Sequence, residues 1–219
     1  MGYKRILGQN TIIGTNGKDT IIGTSDDDLI LGLEGNDRIY AGAGNDWVFG
    51  GSGADYMDGG SGRDALSYIS NGAGVTVNLA TGYADGGDAT GDTFVNFEAI
   101  IGSNNADHLT GDYGSNHIFG NAGDDAIFGL AGNDTLMGEH GNDFINGGSG
   151  NDRLSGSFGD DTIIGGFGDD TLRAGRGEDL LTYSFSSIIS PWGTTSLLIL
   201  RLVLINWILP PSNLPKPVI

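Results

Sequence analysis

One nine-residue pattern repeats along most of this 219-residue chain, in two blocks that each keep a constant frame. Residues 5–67 hold seven units, and residues 102–182 hold nine. The unit at 147–155, GGSGNDRLS, has glycine at positions 1 and 4, aspartate at position 6 and an aliphatic residue at position 8. A short period of this kind predicts a solenoid, because each unit must bury its apolar face against a neighbouring unit.

Position 8 is the predicted core. With positions 7 and 9 it forms a three-residue strand whose central side chain points to one face and whose neighbours point to the other. The pattern therefore predicts an all-β protein with one buried side chain per unit. These sixteen residues, all large and apolar, are Ile12, Ile21, Ile30, Ile39, Val48, Met57, Leu66, Leu109, Ile118, Ile127, Leu136, Ile145, Leu154, Ile163, Leu172 and Leu181.

Glycine accounts for 41 of the 219 residues, and the repeats explain this excess. Position 1 is glycine in all but three units, and position 4 is glycine in all but two. The two exceptions at position 4 are Asp26 and Asn105, which are the residue types that best tolerate a positive φ after glycine. We therefore expect a turn over positions 1–6 with a positive φ at position 4.

Position 6 carries the candidate metal ligands. It is Asp in fourteen units and Asn in two, Asn10 and Asn116. Stacked carboxylates repel one another, so the turns require a counter-ion, and oxygen ligands alone favour Ca²⁺ over Zn²⁺ or Cu²⁺. The predicted ligands are Asp19, Asp28, Asp37, Asp46, Asp55, Asp64, Asp107, Asp125, Asp134, Asp143, Asp152, Asp161, Asp170 and Asp179.

The net charge of −18 argues against a nucleic-acid or anionic-membrane partner and favours a multivalent cation. The chain has no cysteine, which excludes disulfides, zinc–thiolate sites and cysteine nucleophiles.

The units 50–58 (GGSGADYMD), 147–155 and 165–173 (GGFGDDTLR) resemble the nonapeptides of RTX (haemolysin-type) calcium-binding proteins, which include serralysin-like and other type I-secreted exoproteins. The resemblance implies a right-handed parallel β-roll, a β-solenoid in which two nonapeptides make one turn and units 18 residues apart stack. It also implies about ten Ca²⁺ ions, each held between two position-6 carboxylates and by turn carbonyls such as those of Gly147 and Ser149. The implied pairs are Asp19 with Asp37, Asp28 with Asp46, Asp37 with Asp55, Asp46 with Asp64, Asp107 with Asp125, Asp125 with Asp143, Asp134 with Asp152, Asp143 with Asp161, Asp152 with Asp170, and Asp161 with Asp179.

Two further pairs contain a neutral ligand and are expected to bind Ca²⁺ more weakly, because affinity follows the charge of the ligands. They are Asn10 with Asp28 and Asn116 with Asp134.

Folding is expected to depend on calcium. One buried aliphatic side chain per nine residues does not offset the entropy of ordering nine backbone units, and without an ion the turns bring carboxylates together. We therefore expect a disordered chain without Ca²⁺ and a folded one with it. Extracellular calcium modules bind at about 10⁻⁴–10⁻³ M, so the chain would fold after export from the cell.

The resemblance also implies a location and a partner. Related proteins leave Gram-negative bacteria through type I secretion machinery, using an uncleaved C-terminal signal. This predicts a secreted or cell-surface bacterial protein. No apolar run follows Lys4 and Arg5, so no Sec-type signal peptide is expected at the start, in agreement with that route.

Residues 68–101 fall out of frame, because 34 residues are two short of four repeats. We interpret this segment as an insert that bulges from a continuous roll. Val75 is expected to continue the core column after Leu66, and Ile100 precedes Leu109 by nine residues. The acids at 85, 88 and 92 have two interpretations, an additional calcium site or an ordinary polar loop.

The composition changes abruptly after residue 182. Residues 183–219 contain no acid and all five prolines. The apolar stretch 197–209, as a helix, would span about 20 Å where a bilayer needs about 30 Å, so membrane contact is expected at most through this stretch. The tail has three interpretations: a hydrophobic cap on the roll, a divergent secretion signal, or an extension unrelated to the fold. The predicted division of the chain is thus 1–67, 68–101, 102–182 and 183–219.

No catalytic motif is present: the sequence has no His-Glu-x-x-His, Gly-x-Ser-x-Gly or Walker loop, and no enzyme activity is expected. His108 and His117 are one unit apart and should lie on opposite sheets, so they cannot share a metal. His140 is expected at the surface.

Two alternatives to a free-standing calcium-binding protein remain at this stage. The chain is either the non-catalytic C-terminal part of a larger secreted enzyme or toxin (metalloprotease, lipase, epimerase or haemolysin), or a surface or adhesive protein. An outward apolar stripe favours the second alternative. It comprises Ile13, Leu29, Leu31, Trp47 and Phe49.

Overall fold

The computed structural model describes residues 10–182 in full and the backbone of two outlying strands, Lys4–Ile6 and Arg201–Leu202. The predicted tail 183–219, including its apolar stretch 197–209, lies outside the described residues except for the second of these strands. Among the described residues, no helix has the length and apolar character needed to span a bilayer.

Short strands alternate between two facing sheets. The first sheet, in spatial order, contains β1 (Lys4–Ile6), β2 (Thr11–Ile13), β4 (Leu29–Leu31), β6 (Trp47–Phe49), β8 (Ala65–Ser67), β12 (Ala99–Ile101), β14 (His117–Ala122), β16 (Thr135–His140), β18 (Arg153–Phe158) and β20 (Thr171–Arg176). The second sheet contains β3 (Thr20–Ile22), β5 (Arg38–Ala43), β7 (Tyr56–Ser61), β11 (Thr93–Val95), β10 (Tyr83–Asp85), β9 (Thr76–Asn78), β13 (His108–Thr110), β15 (Ala126–Ala131), β17 (Phe144–Ser149), β19 (Thr162–Phe167), β21 (Leu180–Thr182) and β22 (Arg201–Leu202). One short 3-10 helix, Gly87–Ala89, lies between β10 and β11.

Strands of the two repeat blocks pair in parallel with the strand 18 residues away. Ile30 pairs with Val48 in the first sheet, and Ile127 pairs with Ile145 in the second. Two nonapeptides therefore make one turn, which confirms the predicted all-β parallel β-roll. The two pairings of β1 with β2 and of β21 with β22 are antiparallel and close one edge of each sheet.

The core runs between the two sheets as a column of position-8 side chains. Fifteen of the sixteen are buried, and Leu172 is half-buried near the end of block two. His108 in β13 and His117 in β14 lie on opposite sheets, as predicted.

Both sheets continue through residues 68–101. In the first sheet, β12 pairs in parallel with β8 and β14, so Ile100 lies between Leu66 and Ile118 in the core column. In the second sheet, β11 continues from β7, and the antiparallel strands β10 and β9 connect it to β13. This segment therefore contributes strands to both sheets.

The expectation that Val75 continues the core column is wrong. Val77 pairs with Leu109 and occupies the equivalent of position 8. Val75 is buried two residues earlier, and its N–H donates to Oδ1 of Asp107, which places it at the equivalent of position 6. The frame is thus already broken between Leu66 and Val77, which lie eleven residues apart rather than nine.

Candidate metal centre

The position-6 aspartates lie in the turns that connect the two sheets, and they stack along both edges of the roll. In every stacked pair the backbone N–H of the first Asp donates to Oδ1 of the Asp 18 residues later, at 2.7–3.0 Å. The fixed 18-residue stagger of the parallel strands imposes this arrangement. The structure thus brings together all ten carboxylate pairs implied by the resemblance, from Asp19 with Asp37 through Asp161 with Asp179.

The second carboxylate oxygen of most of these residues is buried and accepts no hydrogen bond. Burying a charged oxygen without a donor or a cation is costly. These unsatisfied Oδ2 atoms are found in nine described residues: Asp37, Asp46, Asp55, Asp64, Asp125, Asp134, Asp143, Asp152 and Asp161.

Burial also raises the pKa of these carboxyls. Loss of hydration raises the pKa of Asp125 to about 7, opposed by the hydrogen bond from the Asp107 N–H and reinforced by the charges of Asp107, Asp143 and Asp124. The same cause raises the pKa of Asp55 and Asp134 to about 6. The columns thus concentrate negative charge where water is excluded, and a bound cation would relieve both the desolvation and the repulsion.

The glycine at position 1 leaves space beside the free oxygen in eight of these nine units, and in the ninth, that of Asp46, position 1 is Ala41. A Cβ built on Gly129 would collide with Oδ2 of Asp134 and would lie 2.6 Å from the carbonyl oxygen of Gly147. A carboxylate oxygen and the carbonyl oxygen of the next stacked turn therefore converge at this glycine. Oxygen ligands of mixed charge are the type that Ca²⁺ takes, so the residues present fit this ion.

No group of three or more His, Cys, Asp or Glu side chains converges within residues 10–182. Each site thus offers carboxylates from stacked turns, and backbone carbonyls must supply the rest of a calcium shell of six to eight oxygens. Of the two interpretations of the acids at 85, 88 and 92, the three-acid calcium site is not formed. Asp85 is exposed, whereas Asp92 is buried and accepts hydrogen bonds from the Asp55 N–H and the Tyr68 hydroxyl.

The turn backbone differs from the expectation in one respect. Position-4 glycines adopt a positive φ in eleven units, but Gly17 and Gly114 do not, and neither do Asp26 and Asn105, so the residue type of these two has another cause. Position 2 also adopts a positive φ in the same turns. There it is occupied by five residues other than glycine, at φ of 77–82°: Leu33, Asn121, Leu130, Glu139 and Ser157.

A second ladder, at position 5, is missing from the sequence-based prediction. Oδ1 of Asn133 accepts the Asn151 N–H, and Oδ1 of Asn142 accepts the Asp160 N–H, both at 2.8 Å. These bonds run in the opposite direction to those of position 6, so each turn is tied to both neighbours. The recurring Gly-Asn-Asp triplet at positions 4–6 was the available signal.

The acidic columns also cross the segment between the blocks. Oδ1 of Asp92 accepts the Asp55 N–H at 2.8 Å, and Oε2 of Glu98 accepts the Asp64 N–H at 2.9 Å. Both acids therefore occupy the equivalent of position 6, which was not predicted from the sequence. Asp92 stands two residues before the buried Phe94, and Glu98 stands two residues before the buried Ile100. The same spacing separates positions 6 and 8 of the repeat, so it could have identified both acids.

The apolar stripe lies on the outer face of the first sheet. Leu29 pairs with Trp47 and Leu31 pairs with Phe49, so the residues form two rows. Trp47 is 51% exposed and Leu29 37% exposed, and the others, with Ile13, are half-buried.

Family models give an independent comparison. Residues 7–39, 31–66, 101–136, 126–154 and 146–181 match the model of the RTX calcium-binding nonapeptide repeat. These matches cover more than half of the chain and coincide with the stacked turns. No curated protein matches the chain. The stacked carboxylates, their free oxygens and these matches lead to one conclusion: the chain belongs to the RTX calcium-binding nonapeptide repeat family, and its β-roll binds calcium.

Proposed function

We propose that this chain is a secreted calcium-binding module whose β-roll folds when calcium becomes available outside the cell. The observation that carries the proposal is the set of nine buried Oδ2 atoms that accept no hydrogen bond. Nothing in a carboxylate column stabilises such oxygens except protons or cations. A chain with this column is stable at neutral pH only when cations neutralise it.

We assign calcium binding first to the carboxylates with a free Oδ2, together with the carbonyl oxygens of stacked position-1 residues such as Gly147. We assign no ion to Asp19, Asp28 and Asp107, near the start of each block, because their Oδ2 already accepts hydrogen bonds from the protein. Asp170 and Asp179, half-buried at the end of block two, stay predicted ligands. When bound, the ion supplies positive charge that neutralises adjacent turns. The chain's own residues supply the frame, because the position-5 and position-6 ladders hold the turns in register.

The location and the export route follow from the family and the binding range. RTX repeats are typical of secreted bacterial proteins. A module that binds at extracellular calcium levels would remain unfolded in the cytosol and pass through a secretion channel as an extended chain. Type I secretion machinery is the partner that this route requires.

The experiment is a calcium titration of the full chain, followed by far-ultraviolet circular dichroism and by native mass spectrometry. We expect little strand signal in excess chelator, a cooperative gain of strand signal at about 10⁻⁴–10⁻³ M Ca²⁺, and several bound ions. Strand signal that is already complete in chelator would refute calcium-driven folding. Magnesium at the same concentration is the control, because its preference for octahedral geometry and retained water suits these turns poorly.

A second candidate is the non-catalytic part of a larger secreted enzyme or toxin. It is supported by the repeats themselves, which with residues 68–101 account for all of the fully described chain. Detection of this sequence fused to a catalytic domain would decide in its favour. The surface-protein alternative, the predicted division at 67, 101 and 182, and the predicted lack of catalysis stay predictions.

A further inference from the structure

In four turns the position-2 residue donates hydrogen bonds to the position-6 side chain of the same turn. The backbone N–H and the hydroxyl of Thr15 both donate to Oδ2 of Asp19, at 2.6 and 2.8 Å. Thr24 makes the same two bonds to Oδ2 of Asp28, at 2.7 and 2.8 Å. We call these hydrogen-bonded turns the closed turns, and they belong to residues 14–31 and 102–119.

Block two begins with the same arrangement. The Ser103 N–H donates to Oδ2 of Asp107 at 2.6 Å, and its hydroxyl donates to Oδ1 at 2.8 Å. Oδ1 of Asp107 also accepts the Val75 N–H, so both carboxylate oxygens have protein donors. In the following unit the Asp112 N–H donates to Oδ1 of Asn116 at 2.8 Å.

The other eleven turns within residues 10–182, here the open turns, have a positive φ at position 2, and the position-2 N–H makes no such bond. In the closed turns the position-2 residue does not have a positive φ. Ser157 shows that the backbone rather than the residue type decides. It has φ 82°, its hydroxyl lies 3.3 Å from that of Ser155, and Oδ2 of Asp161 accepts no hydrogen bond.

Two further residues fit the same division. Asn116 is an amide at position 6, a weaker calcium ligand than a carboxylate, and it lies in a closed turn where its Nδ2 donates to Oδ1 of Asp112 at 3.1 Å. At the far end of block one, the buried hydroxyl of Tyr68 donates to Oδ2 of Asp92 at 3.0 Å. Protein donors therefore satisfy carboxylates or amides where the columns begin and where one of them ends.

We propose that the backbone conformation at position 2 determines whether a turn takes calcium, and that the first closed turn of each block forms without the ion and templates the open turns stacked on it. The inference rests on the proposed calcium function. It explains why Thr, Thr, Ser and Asp, which favour side-chain-closed turns, stand at position 2 of these four units. In Asp28 only Oδ2 accepts hydrogen bonds from its own turn, and its buried Oδ1 accepts none.

The test compares matched substitutions in the full chain. Asp107→Asn changes a closed turn, and Asp143→Asn makes the same change in an open turn of the same column. Native mass spectrometry in saturating Ca²⁺ should count the wild-type number of ions on Asp107→Asn and at least one ion fewer on Asp143→Asn. Equal ion loss from both variants would overturn the inference.

A second pair keeps the test decisive if either carboxylate variant unfolds. Ser103→Ala removes a closing hydroxyl and should lower the melting temperature in saturating Ca²⁺ by about 3 °C, with the ion count unchanged. Ser157→Ala is the control in an open turn and should leave the melting temperature and the ion count unchanged. Equal melting temperatures for the two variants would overturn the inference. If the wild-type chain bound no ions, the proposed function itself would fail, which is a different result.

Discussion

Substitution of a position-1 glycine by alanine tests the calcium cradle most directly. In Gly129→Ala the new Cβ would lie 2.6 Å from the carbonyl oxygen of Gly147 and closer still to Oδ2 of Asp134. These are the two oxygens that we assign to one ion. The φ of Gly129 is not positive, so alanine introduces no backbone strain, and the effect comes from the lost space alone.

The magnitude follows from the size of the overlap. Both oxygens are nearer than a Cβ normally approaches any heavy atom, so the turn must move, and overpacking of this kind costs about 1–3 kcal/mol. At about 1.4 kcal/mol per tenfold change, the calcium concentration at the folding midpoint should rise roughly 5- to 150-fold. Replacing glycine also lowers the entropy of the unfolded chain, which stabilises the fold by about 0.4–1 kcal/mol. The control Gly72→Ala gains the same amount, so the rise of roughly 5- to 150-fold is the expected difference between the two variants.

The assay is a calcium titration followed by circular dichroism, with urea unfolding at saturating Ca²⁺ as a second measurement. Gly72→Ala is the matched control, because a Cβ there would have no heavy atom within 4 Å and the φ is not positive. It should be neutral or stabilising by up to about 1 kcal/mol. If Gly129→Ala and Gly72→Ala titrate alike, the space beside Asp134 has no role in binding, and the reasoning is wrong.

Three further predictions concern the core, the pH dependence and the position-5 ladder. Ile127→Ala removes a fully buried side chain and should lower the free energy of unfolding in calcium by about 2–5 kcal/mol. The control is Ile22→Ala, where the side chain is 57% exposed, and it should change that free energy by less than about 0.5 kcal/mol. Urea unfolding measures both. The pKa of Asp125 rises from 3.8 to about 7 in the roll, so the calcium-free fold holds protons more tightly than the unfolded chain. The stability of the calcium-free fold should therefore be greatest below about pH 4 and fall as the pH rises through about 6–7. Circular dichroism in chelator measures this, and a strand signal that grows with rising pH would contradict the prediction. Asn133→Ala removes the acceptor of the Asn151 N–H and should cost about 0.5–1.5 kcal/mol in urea unfolding without changing the ion count; a lost ion would show that the ladder also takes part in binding.

The sequence by itself determined the repeating part of the fold. A nine-residue period with one apolar residue per unit is local information, and it fixes the strand and the core residue. The core column from Ile12 to Leu181 was predictable for this reason, because it depends only on the frame and on the two-residue alternation of a strand. The stacking of Asp37 on Asp55, 18 residues away, was predicted from the resemblance to RTX nonapeptides.

Tertiary structure decided what happens where the frame is broken or where a block begins. Val77 rather than Val75 enters the core because the antiparallel strands β9 and β10 set the register there. The turns of Thr15 and Leu33 have the same glycine pattern, but one closes on its aspartate and the other leaves Oδ2 free. The difference lies in the backbone conformation at position 2, where Leu33 has a φ of 80° and Thr15 has no positive φ. Ser157, which has a hydroxyl and still lies in an open turn, shows that the residue type at position 2 does not settle this conformation. The sequence therefore predicted the columns of carboxylates, and only the folded roll separated those closed by protein donors from those left open to a cation.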